Sequence, residues 1–136
     1  MLKPSHFHRI YRISAWYDLI ITWPFAFVPT LMVVMTLVGF ANERLGLPPI
    51  PTLPPTGVMF GNFFGSVVVI WSIVRLRWDD AALARYDAAG RWLFSLAMCV
   101  ALLKGASPLL FAFLVPEVLF AILQSLPVRK NRRVGA

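Results

Sequence analysis

GVMFGNFFGSVVVIWSIVRLRW, residues 57–78, decides what solvent this chain is built for: from Gly57 to Val74 it carries no charge, and it then closes on Arg75, Arg77 and Trp78. A helix needs roughly 20 apolar residues to cross the ~30 Å hydrocarbon core of a bilayer, and basic and aromatic residues favour the boundary where such a helix leaves it. The stretch therefore predicts a membrane-spanning helix over about 58–78. The whole chain agrees with this reading. Of its 136 residues 59% are hydrophobic and 14% charged, and the mean hydropathy is +0.72, against roughly 25% charged residues in soluble domains.

Three further apolar segments, about 16–40, 88–104 and 108–127, have the length or composition to pair with it. The predicted fold class is all-α, an integral membrane four-helix bundle forming a single transmembrane domain over residues 1–136. Pro24 and Pro29 remove two backbone donors from the first segment and predict a kink there. Ser5 is a candidate cap for its amphipathic approach, and Asp79 or Asp80 for a third helix that starts ahead of 88. Between the third and fourth segments lies KGASP, residues 104–108, in which Gly105 can end one helix, Ser107 cap the next and Pro108 occupy its first turn. A tight antiparallel hairpin follows. The connection over 42–56 holds Pro48, Pro49, Pro51, Pro54 and Pro55 and reads as an extended extracytoplasmic strap, or alternatively as a lid or docking loop. Residues 128–136 form a basic tail.

Orientation follows from the arginines and lysines. Eleven of the thirteen fall on the side of the N-terminus, leaving Arg44 and Lys104 opposite, so the positive-inside rule puts both termini in the cytoplasm. The same placement accounts for the net charge of +7 through anionic headgroups rather than nucleic acid. The N-terminal segment is too long, and lacks the small-residue cleavage site, to be a signal peptide. The lone Cys99 rules out a disulfide within one chain. His6 and His8 point to different helix faces and lack further ligands, so no metal site and no cofactor are expected. No phosphate loop or nucleophile motif supports catalysis, which makes a non-enzymatic role the expectation.

Three stretches carry the candidate functional residues. Gly57, Gly61 and Gly65 recur every four residues on one stripe, which permits close approach of another helix, either within the chain or across a homodimer seam. Asn62 lies beside that stripe and needs a hydrogen-bond partner. Asp18 falls at the membrane edge of the first segment, at the expected depth of Arg75, Arg77 and Arg91, where an ion pair is the simplest reading. Glu117, in FLVPEVLFA, lies nine residues past Pro108 and so ~13 Å inside the membrane; with Gln124 it forms a polar line on an inward face that includes Leu110, Leu114 and Ala121. Three readings of Glu117 stand. It is a neutral hydrogen-bonding group facing Ser66, Ser95 or a kink carbonyl, the polar anchor of an apolar ligand pocket, or a titrating group in a small transporter. The third lacks a second charge at its depth, with Lys104 the nearest expected cation.

In its length, cytoplasmic termini, long first loop and tight last hairpin, carried by RYDAAGRWLF and KGASPLL, the chain resembles the small bacterial DoxX-like membrane proteins and, more distantly, the sterol-binding and isomerase EXPERA group. The resemblance is architectural and covers residues 10–127. It implies a bacterial inner-membrane location and a ligand-binding membrane acid, for which Glu117 and, less well, Asp18 are the residues to carry over. The expected function is binding of a small hydrophobic or lipid-like molecule within the bundle, or service as an accessory subunit of a larger membrane complex. A proton-coupled transporter and an EXPERA-like isomerase are the alternatives.

Overall fold

The computed structural model describes residues 4–78 and 80–128, and its regular elements are helical: α1 (Pro4–Thr22), a 3-10 turn (Trp23–Ala26), α2 (Val28–Arg44), α3 (Pro55–Arg77), α4 (Ala81–Leu103), a short 3-10 turn (Pro108–Leu110) and α5 (Phe111–Ser125). Three helical stretches are long and apolar enough to cross a membrane: Pro55–Arg77, Ala82–Leu103 and Pro108–Ser125. A fourth is reached when α1 and α2 count as one broken span. The basic tail beyond Val128, Lys3 and Asp79 lie outside the described residues.

The first segment departs most from expectation. Instead of one kinked helix over 16–40, helix already begins at Pro4, which removes Ser5 as a cap, and the two halves meet at 105°. Proline has no N–H and clashes with the preceding turn. With Pro24 opening the 3-10 turn and Pro29 opening α2, Phe27 between them is extended at φ −127° and ψ 129°. The carbonyls freed by this break need donors. Asn62 of α3 gives its amide N–H to Ala26 O at 2.6 Å and to Phe25 O at 3.4 Å, and the Thr30 hydroxyl donates to Phe27 O at 2.9 Å and also to Pro24 O. The prolines break the helix; Asn62 and Thr30 make the break tolerable.

The same place explains the glycines. A Cβ on Gly65 would lie 2.4 Å from the Phe25 carbonyl carbon and 2.5 Å from Ala26 N, one on Gly61 3.3 Å from a Leu31 methyl, and one on Gly57 3.2 Å from Pro54. Close packing along the stripe is as expected, and its partners are the break, α2 and the strap of the same chain.

The rest follows the expected hairpin. Asp80 caps α4 by accepting from Ala82 N at 2.8 Å. Gly105, at φ +91°, turns the chain, and Ser107 Oγ accepts from Leu109 N at 3.2 Å. α4 and α5 then pack along their length, while α1 packs between α3 and α5. At the far end of α5, Arg85 donates to Gln124 O at 2.8 Å and Leu126 O at 3.0 Å. The bundle thus has one end, here the turn end, where α3 finishes at Arg77 and α4 begins at Ala81, and a hairpin end, where α4 meets α5. Because α2 swings away at the break, it roofs the hairpin end. Asn42, fully buried, pins that roof by donating to Pro48 O of the strap and accepting from the Ser107 hydroxyl.

Candidate functional site

Four helices each send a charged side chain to one point. Arg75 of α3 is fully buried and Arg91 of α4 is 2% exposed. Burial of an unpaired guanidinium is prohibitive, so each must meet carboxylates. Arg75 pairs with Asp18 of α1 and, at 2.7 Å, with Asp87 of α4. Arg91 donates through all three of its nitrogens: Nε to Asp87 Oδ2 at 3.0 Å, Nη1 to Glu117 Oε2 at 2.9 Å, and Nη2 to Asp18 Oδ2. The Phe120 ring covers the Arg91 guanidinium at 5.1 Å, a cation–π contact. Asp87 also accepts from the Trp71 indole at 2.9 Å. Beneath this cluster Ser14 accepts from Gln124 Nε2 at 2.8 Å and from Arg75 at 3.4 Å, and donates to Tyr11 O.

Two features of the cluster bear on chemistry. Three carboxylates face two guanidiniums, leaving one formal negative charge unbalanced among the described residues. Both cations are also turned inward, Arg91 using all three nitrogens on the cluster and Arg75 only its two Nη atoms with Nε left unpartnered among the described residues, whereas Asp18 and Glu117 each keep one oxygen, Oδ1 and Oε1, that accepts no hydrogen bond from the described residues.

Those two carboxylates form the floor of a cavity of about 480 Å³ that fills the bundle towards its hairpin end. Its walls are apolar: Ile21 and Phe25 from α1 and the break, Met35 and Val38 from the roof, Met98 from α4 and Phe113 from α5. A second cavity of about 310 Å³ shares Asp18 and Glu117 with the first and is lined also by Trp71, Tyr86, Asp87 and Arg91. Drug-sized ligands occupy pockets of roughly 300–1,000 Å³, mostly apolar with a few placed polar groups.

The sequence-predicted residues divide accordingly. Asp18 pairs with Arg75 and Arg91, two of its three expected partners. Glu117 faces inward and binds Arg91, rather than Lys104, Ser66, Ser95 or a kink carbonyl. The depths need correction: Asp18 and Glu117 contact one guanidinium and so lie at one level. Asp18 sits fourteen residues into α1, ~21 Å from its start. The companion charges missing from Glu117's surroundings are Arg91 and Asp87. Asn62 and Gln124 lie outside both cavities, the first holding the helix break and the second bonded to Ser14. Asp87 and Arg91 carried a further legible signal, an i,i+4 acid–base pair, and Arg75 was already among the partners expected for Asp18.

Compared with known proteins, the chain matches no family model, no curated protein and no solved structure.

Proposed function

We propose that this chain is a multi-pass membrane protein that binds a small amphiphile in the larger cavity, its apolar body against the Phe, Met and Ile walls and its head donating hydrogen bonds to the free oxygens of Asp18 and Glu117. One observation carries the reading: an apolar cavity of ligand size ends on two carboxylates that each retain an unused acceptor. A carboxylate oxygen that faces an apolar cavity without a donor is poorly solvated, and a ligand's hydroxyl or amine supplies the hydrogen bond. Arg75 and Arg91 no longer count as headgroup residues, but the remaining basic residues still favour the N-terminal side by nine to two. Both termini in the cytoplasm is therefore part of the proposal.

Native mass spectrometry of the protein purified in mild detergent tests it. The expected result is a co-purified lipid-like species that is lost when Ala97→Trp fills the cavity while leaving the ion cluster untouched. A wild-type chain that purifies empty, inside a larger membrane complex, would favour an accessory-subunit role.

One observation favours a second reading, a proton-coupled transporter: Asp18 and Glu117 line both cavities. Glu117→Gln separates the two. An amide still accepts a hydrogen bond and leaves binding largely intact, but cannot exchange a proton, so transport by reconstituted vesicles would stop.

A further inference from the structure

We infer that the cleft between α3 and α4 is a side entrance to the larger cavity from the lipid, and that Phe64 and Phe94 form the shutter across it; this rests on the binding role proposed above.

The two helices are stitched near the turn end, where Arg75 and Trp71 of α3 both donate to Asp87 of α4 at 2.7 and 2.9 Å. Beyond the stitch they take different partners. α3 packs on α1 and on the break, α4 on α5, and the two scarcely touch each other. Phe64 and Phe94 lie thirteen residues from the turn-side ends of their helices, ~20 Å along each, so they stand at the same level. Their rings bridge the gap edge-to-face, 5.6 Å apart and at 78°. Both residues line both cavities, yet they remain 43% and 42% exposed. The ring pair is therefore a wall with the cavity behind it. In front, Phe60, Phe63, Val67 and Leu93 present an exposed apolar surface, one that a bilayer's acyl chains would cover.

The two ways in differ in how they are held shut. The hairpin-end mouth is pinned by hydrogen bonds from Asn42 to the strap and from Ser107 to Asn42. Across the α3–α4 cleft the barrier is one ring contact, which a change of side-chain rotamer opens without breaking a hydrogen bond. An amphiphile dissolved in the membrane can pass it body or head first without meeting water, and a slim chain passes more readily than a fused ring system.

The test uses the full chain in lipid nanodiscs, with Trp16, Trp23, Trp78 and Trp92 replaced by Phe so that Trp71, on the smaller cavity, is the reporter. The probe is a brominated eighteen-carbon alcohol delivered from phosphatidylcholine vesicles, and its quenching of Trp71 is followed by stopped flow. With Cys99→Ser, the pair Phe64→Cys and Phe94→Cys is joined by a short bifunctional methanethiosulfonate. Joining is expected to slow quenching at least about tenfold, with recovery on reduction, and probe loaded beforehand is expected to stay trapped. Phe94→Ala, which needs no cross-link, is expected to speed uptake and release alike by about tenfold, the equivalent of one edge-to-face contact. Uptake unchanged by the cross-link would overturn the inference, as would acceleration by Asn42→Ala but not by Phe94→Ala, which would assign the entrance to the hairpin end. Equilibrium quenching absent from every variant would instead sink the binding role itself, and the entrance with it.

Discussion

The two ends of the bundle solve opposite problems. At the turn end α1, α3, α4 and α5 converge on five charges, and the residues around them are tightly buried: Phe7, Tyr11, Ser14, Ala15, Ser72, Arg75 and Ala84 are all at most 2% exposed, a level that α2 reaches only at Leu31 and Asn42 among the described residues. At the hairpin end α1 has broken off, α2 crosses as a roof, and the helices enclose space. Close packing is the default for protein interiors, so the contrast calls for a cause. Apolar side chains alone would let the helices collapse together, whereas fixed ion pairs hold four helices at set distances. A charged clamp at one end permits a hollow at the other.

If that division is right, substitutions should be costly at the clamp and mild around the hollow. The largest effect is expected from Arg75→Met, which leaves Asp18 and Asp87 without one of their shared cations. Breaking one partner out of a buried pair typically costs about 3–5 kcal/mol, enough to show as a large drop in the unfolding midpoint followed by circular dichroism in detergent. Arg75→Lys restores the charge but not the forked geometry and should recover part of the loss. A midpoint unchanged in Arg75→Met would break the comparison.

Next in size is Gly65→Ala. Its methyl would meet the backbone of Phe25 and Ala26 at 2.4–2.5 Å, and backbone cannot rotate away, so a cost of about 1–3 kcal/mol is expected. Gly61→Ala, one turn along the same stripe, faces the movable end of Leu31 at 3.3 Å; the better helix propensity of alanine offsets the contact, and stability should stay within about 1 kcal/mol of the parent. Equal effects at the two glycines would mean that the helix break is not the constraint that Gly65 serves.

The contrast between the ends also describes what could be read from the chain. Features set by neighbours in sequence were legible: the apolar segments, the Gly105 and Ser107 signals of the hairpin, the Asp80 cap, the glycine stripe and the inward face of α5 with Leu114, Ala121 and Gln124. Features that need two distant segments were not. Pro24 and Pro29 announce a kink, but the 105° turn depends on Asn62, thirty-six residues from Ala26, to receive the freed carbonyls. Arg75 and Arg91 read as headgroup-level partners of Asp18 because positive-inside reasoning assigns an arginine near a helix end to the interface; only the tertiary fold buries them and brings Glu117 and Asp87 to the same point. Even so, the reading that Glu117 points into the bundle stands. What changed is its company, from Gln124 alone to a five-charge cluster.

The smallest expected effect is the sharpest test of the hollow. Ala15, at the turn end, is fully buried, and Ala15→Leu must force three extra carbons into packed surroundings, at a cost of about 1–3 kcal/mol. Ala97 lines the larger cavity, where the same three carbons find room, so Ala97→Leu should change stability by less than about 0.5 kcal/mol. Both substitutions are alanine to leucine in a helix, so propensity cancels and the difference in unfolding midpoint reports local packing alone. A cost at Ala97 matching that at Ala15 would mean the hairpin end is filled in solution, by side-chain collapse or by tightly held lipid. Repeating the measurement after exhaustive delipidation distinguishes these, since a lipid-filled cavity loses its resistance to leucine once emptied and a collapsed one does not.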